Sequence, residues 1–577
     1  MSAKTVALTA VEGIKARSDF LRGSIVASLA DAATGALAPD DTQLSKFHGF
    51  YQQDDRDVRE ERRRRVLEPD YQFMIRARVP GGVCTPRQWL ALDAIARTWA
   101  NGTLRLTTRQ AFQLHGVLKR NLKASIRAIN ESLLDTLAAC GDVNRNVLCT
   151  AVPERSAVHR QVYALAVAVS QHLTPRTTAY HEIWLEGEGS RVHVASRAEP
   201  PRGDAEPIYG PTYLPRKFKM GFAVPPRNEV DLFAQDLGFI AVPERAGRDN
   251  SELAGFNVTV GGGMGATHAD ASTYPRLADV IGFCTPDRVI AVSEAVVTIQ
   301  RDFGDRSERK HARLKYTIDD RGLDWFRTLL EQRLGFALEP ARPFAFTHTG
   351  DQYGWQRTDD DRWHLTLFIE NGRIEDRDAA RQLTGLRAIA QVHRGEFRLT
   401  ANQNVVIAGV AGRDRAGIDR LVSEHGLDGY REVSPLRLHS LACVGFPTCG
   451  LAMAESERYL PALVGRVEAL LERHDLRQQA ITLRMTGCPN GCARPYLAEI
   501  GLVGKGPGLY NLHLGAAFDG TRLSRLWRES VDELNLLDEL DGLFSAYAAG
   551  RDSGEAFGDF LVRTGRIDAA PPAARPQ

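Results

Sequence analysis

The feature that most constrains this chain is an internal repeat. A strand-like run, Gln72 to Val79, leads into a Pro80-Gly81-Gly82 turn, a helical pattern from Trp89 to Trp99 and a second strand, Thr103 to Thr107. The same order returns as the strand Trp363 to Ile369, the turn Asn371-Gly372, the helix Ala379 to Ala390 and the strand Glu396 to Thr400. Arg105-Leu106-Thr107-Thr108-Arg109-Gln110 aligns with Arg398-Leu399-Thr400-Ala401-Asn402-Gln403 near an offset of 293 residues. A duplicated half-domain buries its open face against its copy and places a ligand site across the pseudo-twofold joint. Two unrelated β-α-β pieces would show the same order, since such units are common, but not the matching hexapeptide.

Four cysteines carry the second signal. Five residues separate Cys443 from Cys449, and three separate Cys488 from Cys492. Small and turn-forming residues surround each sulfur, which lets loop backbone fold closely around an iron-sulfur cluster. Structural zinc is the rival, although its paired ligands usually have two to four residues between them. The chain holds eight cysteines, and Cys84, Cys140, Cys149 and Cys284 read as thiols without an assigned role.

At 577 residues the chain exceeds one core and implies about three to four domains. Apolar residues at 43% and charged residues at 25% describe a foldable globular chain. The net charge of +1 exerts no global pull on nucleic acid or an anionic membrane, so any anion site must be local. The start lacks a signal-peptide core, and no run of about 18 apolar residues is present; a cytoplasmic protein without membrane contact is expected.

Several cations stand in uncharged, strand-like or turn-like surroundings: Arg76, Arg78, Arg105, Arg109, Arg145, Arg216, Lys217 and Lys219. Alternation along Leu214 to Met220 puts Lys217 and Lys219 on one face and Phe218 on the other, either as an oxyanion site or as an ordinary exposed strand face. The run Gly261-Gly262-Gly263-Met264-Gly265-Ala266 follows an apolar strand and fits a dinucleotide fingerprint. No amphipathic helix opens after it, and glycines that admit a large flat cofactor explain it equally well. No phosphate-binding loop of the nucleotide hydrolases is present.

Together these motifs resemble the hemoprotein β-component family of assimilatory sulfite reductases, from about Phe47 to Arg563. The carriers are Phe47 to Asp57, Arg105 to Gln110, Asn144 to Cys149, Tyr213 to Lys219, both cysteine pairs, Met485 to Gly487 and Asn511 to Gly515. The resemblance implies a [4Fe-4S] cluster on Cys443, Cys449, Cys488 and Cys492, with the Cys492 sulfur also the axial ligand of a siroheme. It implies sulfite bound among Arg76, Arg145, Lys217 and Lys219, which reverses the exposed-face reading of the lysines. Further siroheme contacts are expected at Arg105, Arg109, Gln113, His115, Arg216, Arg309, Lys315, Asn402 and Gln403. Gly450 and Ala493 depart from the family pattern without removing a ligand.

The implied fold is α+β, with duplicated ferredoxin-like half-domains at 66–140 and 341–415 joined across the pseudo-twofold. Mixed α/β domains would hold siroheme and substrate at 141–340 and ligate the cluster and siroheme at 416–565. Residues 1–65 are expected to form a surface arm for partner docking, and 566–577 a loose tail. The implied activity is six-electron reduction of sulfite to sulfide in sulfur assimilation and cysteine biosynthesis. Electrons would come from NADPH through a flavoprotein α-component with FAD and FMN, or alternatively from ferredoxin. Nitrite reduction is the enzymatic alternative, with the paired lysines and Asp54-Asp55 favouring sulfite; a zinc-stapled anion-binding module is the non-enzymatic one.

Overall fold

The computed structural model describes residues 7–152, 155–185, 206–245, 251–358 and 360–568. Two five-stranded sheets carry the repeat. One orders Phe50–Asp54, Tyr71–Ala77, Phe112–Val117, Leu104–Leu106 and Arg373–Ile374; the other orders Gly354–Arg357, Arg362–Leu367, Val405–Ala411, Glu396–Leu399 and Val83–Cys84. Each copy therefore gives a two-residue strand to the other's sheet, where Arg373 pairs with Arg105 and Cys84 with Phe397. The exchange satisfies backbone groups at two sheet edges and locks the halves together.

Such close passage requires glycine. A Cβ on Gly82 would lie 2.5 Å from the Leu399 carbonyl oxygen, and one on Gly372 would lie 2.3 Å from that of Leu106, the residue equivalent to Leu399. Both glycines hold positive φ, 77° and 75°. Helices Pro86–Trp99 and Gln382–Val392 cover the joint, the first started by a capping box between Thr85 and Gln88. Buried Trp89 stacks on Phe397 of the other copy with ring centroids 4.6 Å apart, and buried Asp93 accepts from Arg387 Nε at 2.7 Å.

A second repeat escaped the sequence reading. Strands Met220–Ala223 and Leu237–Pro243 pair in parallel, as do Leu483–Thr486 and Ile500–Gly506, and every boundary is displaced by 263 residues. Asp231 and Arg494 hold the same left-handed turn before the short helical segments Leu232–Ala234 and Pro495–Leu497. Asp236 accepts from the Lys219 N–H at 2.9 Å, and Glu499 from the Thr482 N–H at 2.9 Å. Only Gly238 and Gly501 are identical between 231–243 and 494–506, so backbone geometry survives here where sequence does not.

The described part of 1–65 is not a surface arm. Phe50–Asp54 is a sheet strand, Leu21, Ile25, Leu44 and Phe47 are buried, and buried Lys15 donates to the Leu214 carbonyl at 2.8 Å and pairs with Glu12 and Asp142. The charged run Asp54 to Arg65 masked apolar residues spaced singly before it. Among the described helices of the segment, only Arg59–Arg64, within that run, buries nothing. Ile567, in the expected loose tail, is buried, while 569–577 lie outside the described residues. Among the described residues no helix is long and apolar enough to cross a membrane.

Candidate functional site

Two loops bring the cysteines together. Ser440–Ala442 and Leu483–Thr486 are neighbouring parallel strands, so the chains carrying Cys443 and Cys488 leave the same sheet end side by side. The Cys443 N–H donates to the Met485 carbonyl at 3.2 Å, and the Gly487 N–H donates to Cys443 Sγ at 3.2 Å. Met453 and Ala454 both donate to the Gly487 carbonyl, at 2.7 and 3.1 Å, which folds the chain after Cys449 over the second pair.

Burial pushes Cys449 and Cys488 up to about 12, with neighbouring sulfurs adding to each shift. Burial and then Cys492 raise Cys443 in the same direction. The sulfurs thus share one electrostatic neighbourhood, where each thiolate opposes the next until cations join them. Among the described residues no three His, Cys, Asp or Glu side chains are grouped to hold one metal ion. Structural zinc usually has two to four residues between paired ligands, so the five between Cys443 and Cys449 fit an iron-sulfur cluster better.

Cys492 alone of the four is exposed. Its sulfur acts electrostatically on Lys217 and Lys219. Phe218 is buried and bridges to Asn144, leaving Lys217 and Lys219 half-buried on one side, as alternation predicts. Burial lowers Lys219 to about 7, with Arg109 and Arg313 adding to the effect, and holds Lys217 well below its ordinary value with help from Arg313, Lys219 and Arg216. Cys492 opposes the shift in both, so its sulfur lies within electrostatic reach of both ammonium groups.

The two arginines stand nearby. Arg76 and Arg145 both donate to the Ala139 carbonyl, at 3.5 and 3.3 Å, and Arg76 Nη1 also donates to Cys140 Sγ at 3.1 Å. Burial would lower Arg145, but Tyr51 and Cys140 outweigh it and raise the group. Tyr51 is itself pushed up to about 12 by burial and by Cys140.

Arg216, Arg309, Lys310, Arg313 and Asn490 line a cavity of about 270 Å³ beside the glycine loop, with no carboxylate among its lining residues. Asp142 anchors Arg309 from behind at 2.9 and 3.1 Å. Arg105 donates to Glu457 at 2.7 Å, to Gln113 at 3.2 Å and to the Ala442 carbonyl at 3.0 Å, and Gln403 shares that carbonyl at 3.0 Å. Burial, Arg494 and Arg145 lower Arg109 to about 9. His115 is held well below its ordinary value by burial and by Arg373, Arg105 and Arg76. Arg76 Nε, Arg109 Nε, His115 Nε2, Asn144 Oδ1 and Gln403 Oε1 are buried without a protein partner. The three unpartnered nitrogens and the surrounding cations fit a large polyanionic ring, while the two amide oxygens are acceptors.

Lys315 and Asn402, like Arg105, are engaged within the protein. Lys315 donates to the carbonyls of Gly263 at 3.2 Å, Gly265 at 2.9 Å and Tyr274, so it shapes the glycine loop. Asn402 donates to Asp351 at 3.0 Å and to the Glu229 carbonyl at 3.3 Å. No helix follows the glycine loop, whose next regular element is the strand Asp279–Cys284, so the dinucleotide fingerprint has no structural counterpart. Cys149 is buried beside Gln110, which donates to its carbonyl at 2.8 Å and accepts from its N–H at 2.9 Å. Sequence reasoning missed Arg313, Tyr51 and Cys140. Tyr51 stood inside a quoted motif, whereas nothing local marked the other two.

Models of known families match three segments. The nitrite and sulphite reductase 4Fe-4S domain matches 168–338, and the nitrite/sulfite reductase ferredoxin-like half domain matches 65–132 and 356–425. The first segment holds one copy of the 263-residue repeat, and Cys488 and Cys492 stand on the other. The chain is 60% identical over its full length, and that of the relative, to "Sulfite reductase [NADPH] hemoprotein beta-component" of Myxococcus xanthus. It is 57% identical to the protein of that name from Anoxybacillus flavithermus, over 96% of this chain and 95% of the relative. Among solved structures the Mycobacterium tuberculosis NirA protein shares the fold at TM-score 0.76 and 24% identity, over 96% of each chain.

Proposed function

This chain belongs to the nitrite and sulfite reductase family as a sulfite reductase hemoprotein β-component, and from that premise we propose how its residues carry out sulfite reduction. The family implies a siroheme and a [4Fe-4S] cluster, which when bound supply an iron atom for the substrate sulfur and single electrons for its reduction. Cys443, Cys449, Cys488 and Cys492 would hold the cluster, and Cys492 would also serve as the thiolate of the siroheme. The observation that carries this reading is the convergence of exposed Cys492 with Lys217 and Lys219.

Arg76 and Arg145 bind the oxyanion with permanent charge and forked donors, offsetting its desolvation. Lys217 and Lys219 deliver protons, because burial and neighbouring cations make their ammonium groups readier to release them. Each sulfite oxygen leaves as water once protonated, and six electrons in all yield sulfide. The cation-lined cavity of Arg216, Arg309, Lys310 and Arg313 would take ring carboxylates. Electrons come from a flavoprotein α-component using NADPH, and the exposed helix Arg59–Arg64 is the candidate contact.

Absorbance and metal content test the reading. A siroheme spectrum with about five irons per chain, four from the cluster and one from the ring, is expected, together with dye-driven turnover that prefers sulfite to nitrite. A colourless preparation containing zinc would overturn it.

A further inference from the structure

Exposed Cys492 needs its position set through the backbone, and one buried guanidinium two residues later does this for three parts of the molecule at once. Arg494 Nη1 donates to the Thr108 carbonyl at 3.1 Å, Nη2 donates to the Ala401 carbonyl at 2.9 Å, and Nε donates to Asp231. Thr108 and Ala401 are equivalent residues of the 293-residue repeat, and Asp231 and Arg494 are equivalent residues of the 263-residue repeat. Arg494 therefore lies where both internal symmetries meet. Thr108 Oγ1 closes the circuit by donating to the Cys492 carbonyl at 3.1 Å.

We infer that Arg494, oriented by Asp231, is a positioning residue that holds the Cys492 thiolate at the junction of the two repeats. The inference rests on the reading that Cys492 is the thiolate shared by cluster and siroheme. Asp231 is 1% exposed and also accepts from Arg484 Nη1 at 2.6 Å, so the carboxylate is fixed from both sides. All three Arg494 nitrogens are engaged in different directions, a geometry for which only a planar fork suffices. Lysine at 494 would keep the charge opposite Asp231 and lose the carbonyl clamp. The two repeats supply the scaffold, and the departure from symmetry, Asp in one copy and Arg in the other, makes the clamp.

Arg494→Lys tests this in the full chain with both cofactors loaded. The variant should retain iron content and melting temperature near those of the parent, while the electron paramagnetic resonance signal of the reduced centres shifts and kcat for sulfite falls about tenfold at unchanged KM, as loss of an outer-shell partner does. Thr108→Val, which removes only the hydroxyl contact to the Cys492 carbonyl, should shift the same signal to a smaller extent and supplies the test if Arg494→Lys does not fold. Parent-like resonance and kcat in a loaded variant would overturn the inference and leave the sulfite reductase reading intact. A parent chain that binds no siroheme would overturn both.

Discussion

At the scale of the residue, what matters is which ordinary side chains are made unusual by their neighbours. Lys219 has a common sequence context and is lowered to about 7 only because burial, Arg109 and Arg313 surround it. Lys219→Met is expected to leave absorbance and iron content unchanged and to lower dye-driven sulfite turnover about a hundredfold, the usual scale for a positioned proton donor. Unchanged turnover would remove Lys219 from the chemistry. The cysteines were legible because four thiols close in sequence have few uses, whereas Arg313 was not. It lies between Arg309 and Lys315 without a pattern of its own, and only folding turns it toward Lys217, Lys219 and the cavity.

At the scale of the element, the exchange of two-residue strands explains why two glycines stand at equivalent turns. Gly82→Ala and Gly372→Ala should each destabilise the protein by about 2 kcal/mol or more, because a Cβ at positive φ would also strike a carbonyl of the opposite copy. Calorimetry should show a lowered melting temperature for both variants, and an unaffected midpoint would contradict the close passage. The elements of this repeat were readable since hydrophobic periodicity and turn residues were preserved in both copies. The strands Val83–Cys84 and Arg373–Ile374 were not, as a two-residue strand has no period.

At the scale of the whole molecule, Glu499 joins the cluster-bearing sheet to the last described helix, Phe557–Arg563, by accepting from the N–H groups of Thr482 at 2.9 Å and Gly558 at 2.8 Å. Burial raises its carboxyl from 4.5 to about 7. The folded chain then binds a proton that the unfolded chain has released, so this contribution is complete below pH 4.5 and disappears as pH rises to about 7. Glu499→Gln should flatten that fall, whatever its melting temperature; the parent's slope in the variant would refute the assignment. The sequence by itself determined the duplicated half-domain, the cysteine pairs and the basic residue types, because each leaves a local pattern of period, spacing or composition. Tertiary structure alone decided the burial of the N-terminal segment, the 263-residue repeat, the approach of Cys492 to Lys217 and Lys219, and that of Arg494 to Thr108 and Asp231. Those depend on residues hundreds of positions apart and on backbone geometry that tolerates almost complete exchange of side chains.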